Sequence, residues 1–164
     1  MRTSSLPSPS GFSLIEALIA SVLVASALVG LAHLIVVGAQ QALNSRRAAS
    51  ALTLAQSKLE HLRRVPWTYA PDGSRVSSTD LTESPALSLD EDAAGYVDYL
   101  DAFGEGVRPG SDAVPEYVRR WAILPLQPGS RDTLVLRVCV FTLVAGVPER
   151  TPAACVSAIR TRKP

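Results

Sequence analysis

The chain has 164 residues and a formal net charge of +1, so no overall basic field suggests a nucleic-acid partner. No GxSxG, HExxH, CxxC or P-loop motif is present, and no paired histidines are placed to hold zinc. We therefore expect neither enzymatic activity nor a cofactor, and we do not expect the chain to bind nucleic acid.

The N-terminal 39 residues divide into a polar leader and an apolar run. Residues 1–11, MRTSSLPSPSG, contain two prolines and no acid, whereas residues 12–39 are rich in Leu, Ile, Val and Ala. The polar side chains of the apolar run are those of Ser13, Glu16, Ser21, Ser26 and His33. At ~1.5 Å per residue, a helix of this length would exceed the ~30 Å hydrocarbon core of a bilayer. The run predicts a single membrane-spanning helix.

An ordinary secretory signal peptide is the alternative interpretation of this segment. Ala25 and Ala27 form a small-x-small site of the kind that signal peptidase cleaves. Glu16 opposes this interpretation because it would lie inside the apolar core of the signal. The apolar run also continues past Ala27, so we expect no cut there.

The helix is predicted to continue beyond the membrane over residues 40–65. Residues 40–64 contain no Gly or Pro and many good helix formers. An apolar stripe with spacings of 4, 3, 4 and 3 is formed by Ala48, Leu52, Ala55, Leu59 and Leu62. This stripe is suited to packing on a sheet, and Pro66 should end the helix.

Residues 66–164 are expected to form one small globular head. Residues 68–95 are rich in Ser, Asp, Pro and Gly and predict a loop. Strands are predicted at residues 117–126, 133–144 and 154–160, where β-branched and aliphatic side chains are enriched. The expected fold class is α+β, with a long N-terminal helix packed on a small antiparallel sheet.

Charge is distributed unevenly over the head. Acids dominate residues 72–105, and bases dominate from Arg108 onward. This asymmetry suits lateral contact with oppositely charged neighbours, although a solvated loop beside a basic sheet explains it more simply. The bases among the predicted strands are Arg119, Arg120, Arg131 and Arg137. Because few aromatic residues accompany them, a face for binding DNA is not the favoured interpretation.

The two cysteines, Cys139 and Cys155, lie 16 residues apart in strand-like segments. An even number of cysteines in a domain outside the cytoplasm favours one disulfide, with two free buried thiols as the alternative.

A calcium loop is a second, less favoured reading of the acidic segment. Positions 1, 3, 6, 9 and 12 of an EF-hand-like loop would be occupied by Asp90, Asp92, Gly95, Asp98 and Asp101. Position 5 carries no side-chain oxygen, and no helical pattern precedes the segment. An acidic surface loop is therefore expected rather than a metal site.

The residues G-F-S-L-I-E, 11–16, resemble the N-terminal motif of type IV prepilins, a family that includes pilins and the pseudopilins of type II secretion. The resemblance implies cleavage between Gly11 and Phe12 by a prepilin peptidase facing the cytoplasm, followed by methylation of Phe12. It also implies that the N-terminus lies inside before processing. The leader departs from the pattern in having no Lys or Arg beside Gly11, and the helix lacks the proline of many major pilins. The segment A-Q-S-K-L-E-H-L-R, 55–63, is similar to minor pilins and minor pseudopilins of the I class.

Glu16 matches the acidic residue that this family associates with filament assembly. Independently of the family, a carboxylate in hydrocarbon costs a few kcal/mol on insertion scales and usually has a partner. The ammonium of a processed Phe12 on a neighbouring subunit would be such a partner. A Glu16 close enough to the interface to keep its carboxylate hydrated is the alternative.

The sequence therefore predicts a minor pilin or pseudopilin, a structural subunit of a filament anchored in the inner membrane with a periplasmic or extracellular head. Its expected partners are the peptidase and methyltransferase, other subunits of this type, the inner-membrane assembly platform and lipid. The alternative is a single-pass, membrane-anchored periplasmic binding domain that does not polymerise.

Overall fold

The structure, a computed structural model, describes residues 13–108, 111–129 and 132–162. These residues form an α+β fold with one long helix, α1 Leu14–Arg64, and antiparallel strands. The strands are β1 Trp67–Tyr69, β2 Arg75–Ser77, β3 Val97–Leu100, β4 Tyr117–Pro125, β5 Thr133–Val144, β6 Val147–Pro148 and β7 Ala154–Thr161. The chain divides into two compact units, Met1–Asn44 and Ser45–Pro164.

In the first unit, the described residues form the apolar part of α1. Its large aliphatic side chains are exposed, with exposed fractions from 41% at Val37 to 92% at Leu14. The hydroxyls of Ser21 and Ser26 donate to the carbonyls of Leu18 and Leu23 within the same helix. Because the helix itself satisfies these hydroxyls, the serines do not interrupt its apolar surface.

The second unit is built on a five-stranded antiparallel sheet with the order β3-β4-β5, followed on the far side of β5 by β7 and the short β6. The predicted strands at residues 117–126, 133–144 and 154–160 are confirmed to within one residue at each end. The β5–β6 turn consists of Ala145 and Gly146, with φ of 53° and 79°. Positive φ at both turn residues matches the right-handed twist of the flanking strands, which is why this two-residue connection works.

The prediction of a loop at residues 68–95 is only partly correct. β1 and β2 form a separate two-stranded hairpin within that segment, and β3 begins just after it. Each of these strands has three or four residues, too few to show an alternating pattern in the sequence.

The main core lies between one face of the sheet and the last turns of α1. Ala51, Ala55, Leu59 and Leu62 are the buried residues of α1, and they pack with sheet residues such as Leu136 and Val138. The predicted stripe is therefore correct at its C-terminal end only. Ala48 is exposed and Leu52 is 42% exposed, whereas Ala51 is fully buried. The smaller alanine faces the sheet because it lets the helix backbone approach closely.

A smaller core covers the opposite face of the sheet. Val118, Cys139 and Phe141 are buried there, and the loop that carries Leu89 packs over them. Alternate residues of β4 thus reach opposite faces, as the two-residue period of a strand requires. This second face, here called the outer face, is only partly covered. Alternate side chains of β7 are exposed.

Two arginines of the C-terminal segment, Arg160 and Arg162, hold the end of α1 and the β1–β2 hairpin against the sheet. Arg160, on β7, donates hydrogen bonds to the carbonyls of Leu62 and Val65 at the end of α1. The last carbonyls of a helix have no partner within the helix, so Arg160 acts as its C-terminal cap. Arg162 stacks 3.7 Å from the ring of Trp67 and donates to backbone carbonyls of the β1–β2 hairpin.

Candidate functional site

The candidate assembly residue, Glu16, lies in the first turn of α1 and is exposed. Among the described residues it forms no ion pair. The candidate processing residues, Gly11 and Phe12, lie outside the described residues. The structure therefore places the carboxylate on the surface of the first unit, where a group from another molecule can reach it.

The helix that carries Glu16 is long and apolar enough to cross a membrane. Its most apolar 18-residue window has a mean hydropathy of 2.4 and no buried residue. By length and composition α1 is compatible with a single-pass membrane anchor.

The candidate disulfide joins the central strand to an edge strand of the second unit. Cys139 on β5 and Cys155 on β7 are directly opposite in register, with Cα atoms 4.2 Å apart and sulfurs 2.03 Å apart. Such a bond is typical of proteins that mature outside the reducing cytoplasm.

The four aspartates weighed as calcium ligands do not form a metal site. Within the described ranges, no group of three or more His, Cys, Asp or Glu side chains is placed to hold a metal ion. Asp92 pairs with Arg120, and Asp98 pairs with Arg119 at 2.7 Å. Asp101 accepts hydrogen bonds from the backbone N–H groups of a tight turn. The carboxylates of Asp92, Asp98 and Asp101 are thus engaged by separate partners.

The strand arginines weighed as a DNA-binding face are also dispersed. Arg119 reaches the carbonyl of Leu54 on the helix side of the sheet, whereas Arg120 pairs with Asp92 and contacts Phe141 on the outer side. Arg131 lies outside the described residues. Arg119 and Arg120 are thus structural partners of carboxylates and backbone carbonyls, on opposite faces of the sheet.

A polar cluster joins α1 to the sheet beside the main core. Lys58 lies 3.2 Å from the carboxylate of Asp98 and 3.5 Å from the centre of the Trp121 ring. Burial lowers the pKa of Lys58 below 10.5, although the neighbouring carboxylate acts in the opposite direction. The stacked ammonium and its carboxylate fix the position of the helix against β3 and β4. Sequence reasoning missed this role because Lys58 falls on an ordinary charged face of the helix.

Sequence reasoning also missed an open groove of about 360 Å³ on the outer face of the sheet. Arg137 from β5 and Arg150 from the β6–β7 connection both line it, together with the disulfide. Residues 136–138, L-R-V, carry a sequence signal of this feature, the one charged side chain in an otherwise uncharged strand. The concave surface itself forms only when the sheet brings Arg137 and Arg150 to the same face.

The fold and these features define a class: an α+β protein with one long apolar helix and a small antiparallel sheet, compatible with a single-pass anchor. No family model, curated protein or solved structure matches the chain.

Proposed function

We propose that this protein is a minor pilin or minor pseudopilin: a structural subunit, made as a precursor, that is cut after Gly11, methylated on Phe12 and assembled into a filament or its tip. The observation that carries the proposal is the G-F-S-L-I-E motif at the start of an unbroken, exposed apolar helix. In this proposal the helix anchors the subunit in the inner membrane before assembly. Its head then lies in the periplasm or in an extracellular filament.

Three structural features support the proposal. The aliphatic side chains of the first unit are exposed, so another apolar surface, either lipid or neighbouring helices, must cover them in an aqueous cell. The same helix, α1, continues into the second unit and packs there on an antiparallel sheet. The second unit contains a disulfide, which suits a head outside the cytoplasm.

Glu16 has the role of an assembly contact in this proposal. An exposed carboxylate in the first turn of an apolar helix is costly in hydrocarbon unless a cation accompanies it. The methylated amine at Phe12 of a neighbouring subunit supplies that cation. The pair neutralises two charges within the bundle, and it forms only when subunits are staggered along their helices.

The first test is processing. Expressed with a prepilin peptidase, the chain should lose its first 11 residues, and mass spectrometry should find a methylated Phe12 at the new terminus. Retention of the leader would favour a membrane-anchored binding domain that does not polymerise. A mature terminus at Leu28 would establish cleavage by signal peptidase and exclude the pilin reading.

The second test separates assembly from insertion. Glu16→Leu should leave membrane insertion and cleavage intact, because it removes a charge that the bilayer disfavours by a few kcal/mol. Crosslinking to partner subunits should fall, because the neighbouring ammonium loses its counter-charge in a low-dielectric bundle. Ser21→Leu is the matched control, since Ser21 is also an exposed polar residue of the same helix and bonds only within it. If the Glu16 variant crosslinks as well as wild type at equal membrane levels, its assigned role is wrong.

A further inference from the structure

A tight turn at residues 101–105, here called the Phe103 turn, displays an aromatic side chain to solvent. Phe103 is 91% exposed, the largest exposed fraction of any large apolar side chain described in the second unit. A single exposed apolar residue is common on protein surfaces, but aromatic side chains, phenylalanine included, are enriched in protein–protein interfaces.

The Phe103 turn is held rigidly by its own hydrogen bonds. One carboxylate oxygen of Asp101 accepts from the N–H groups of Phe103 and Glu105, each at 2.9 Å. The backbone of Asp101 also bonds to Glu105 and Gly104. Gly104 has a φ of +84°, a conformation that permits this sharp reversal. A pre-ordered turn loses little conformational entropy when it docks, which favours its use in binding.

The groove on the outer face of the sheet, here called the arginine groove, complements the Phe103 turn in polarity and charge. Leu89, Phe141 and Pro152 give it apolar walls, and Arg137 and Arg150 supply guanidinium groups. Its volume of about 360 Å³ lies at the lower end of the range of small-molecule sites, which leaves room for one aromatic side chain.

Neither guanidinium has a partner among the described residues. Arg137 and Arg150 are both exposed, and their guanidinium groups form no ion pair or hydrogen bond with the described residues. By contrast, Arg119, Arg120 and Arg160, also in strands, each bind a carboxylate or a carbonyl. Asp90 also lines the groove, so the lining contains two basic residues and one acidic residue.

Arg137 forms part of a concave surface because its neighbours in the sheet are small. It lies opposite Ala122 on β4 and Ser157 on β7. Small side chains on both sides of a long one leave space above the sheet, and the Cys139–Cys155 disulfide forms part of the lining. The groove is therefore built on the most extensively paired strand of the sheet, which makes it a stable receptor surface.

We propose that the Phe103 turn of one copy of this chain inserts into the arginine groove of a second copy. Phe103 occupies the apolar part of the groove, and the exposed carboxylate of Glu105 pairs with Arg137 or Arg150. Turn and groove are different surfaces of the head, so the contact is heterologous, and its repetition generates an open chain of subunits. The inference does not depend on Glu16 or on cleavage after Gly11.

The test is site-specific photo-crosslinking in the full-length protein, reconstituted in lipid nanodiscs that each hold several copies. Phe103→p-benzoyl-phenylalanine, mixed in equal parts with ¹⁵N-labelled wild type, should give inter-copy crosslinks to the peptides that contain Arg137 or Arg150. The matched control places the same photoreactive residue at Val114, which is 81% exposed and also has an acid two residues away on each side. The control should not label the groove.

Charge reversal provides an independent measurement. Arg137→Glu should reduce the crosslink yield about fivefold. Adding Glu105→Arg to the Arg137→Glu protein should restore most of the yield, because the two charges are then exchanged. In a two-hybrid assay of membrane proteins, Phe103→Ala should weaken self-association by about thirtyfold. Emission from the buried Trp67 and Trp121 reports whether each variant is folded.

Any of three results would overturn the inference. Position 103 crosslinks only to lipid, position 114 labels the groove equally well, or charge reversal leaves the crosslink yield unchanged. These results are distinguishable from failure of the proposed function, because processing at Gly11 is read separately by mass. A chain that keeps its leader can still form this contact, and a processed chain can lack it.

Discussion

The packing of α1 on the sheet makes a prediction that separates the structure from the sequence pattern. The sequence places Leu52 and Leu62 on one apolar stripe, whereas the structure leaves Leu52 42% exposed and Leu62 only 2% exposed. Replacing each with alanine is the same chemical change in the same helix, and leucine and alanine are both good helix formers. A large difference in unfolding free energy between the two variants therefore reports how deeply each leucine side chain is buried.

The expected magnitudes follow from these exposures. Leu62→Ala removes a side chain that is almost wholly surrounded by the main core and should cost about 2–5 kcal/mol of unfolding free energy. Leu52→Ala removes a side chain that is far less buried and should cost about 1 kcal/mol. A difference of about 2 kcal/mol corresponds to roughly 5–10 °C in Tm for a unit of this size.

The assay is thermal unfolding followed by tryptophan emission in nanodiscs loaded with a single copy. Both tryptophans of the chain, Trp67 and Trp121, are buried in the second unit, so the signal reports the head alone. Equal losses of stability for the two variants, or a greater loss for Leu52→Ala, would show that the helix packs in the register of the sequence stripe and would refute the reasoning.

Three further predictions concern the head. Intact mass before and after reduction and alkylation should show one internal Cys139–Cys155 bond, and free thiols in periplasmic material would contradict it. Reduction of the bond should lower the unfolding free energy by about 3 kcal/mol in a denaturant titration. The hydrogen bond from Arg75 holds the pKa of Asp132 below 3.8, so its stabilisation is present above pH 3.8 and is lost as the pH falls through the lowered pKa. Asp132→Asn should flatten the acid limb of a stability–pH curve, and an unchanged limb would assign acid unfolding to other carboxyls. Arg160→Met, which keeps the aliphatic stem but removes the helix cap, should cost about 1–3 kcal/mol in denaturant titration, and a loss below 0.5 kcal/mol would show that water caps the helix equally well.

Local pattern was sufficient for the elements that are long. The apolar helix and the strands β4, β5 and β7 each extend over eight residues or more, so periodicity and composition were repeated often enough to identify them. The short strands β1, β2 and β3 were not recognised, because three or four residues carry no period. β3, for example, is ordered by its register with β4, about twenty residues later.

The candidate sites divide in the same way. The processing motif at Gly11 and Phe12 and the position of Glu16 are properties of consecutive residues, so the sequence by itself determined that hypothesis, and the described structure adds the exposure of Glu16. Cys139 and Cys155 suggested a disulfide by number, but only the register of β5 with β7 brings them to opposite positions.

The tertiary structure alone decided how the charged residues are used. Asp98 pairs with Arg119, which lies opposite it in the register of β3 with β4. Asp92 pairs with Arg120, and Asp101 accepts from backbone N–H groups of its own turn. The arginine groove unites Arg137 on β5 with Arg150 on the β6–β7 connection, which are 13 positions apart in the chain. Such surfaces depend on which segments pair across the sheet, and no local pattern encodes that pairing. Composition and periodicity were enough for the anchor and the long strands, because those depend on neighbouring residues along one segment.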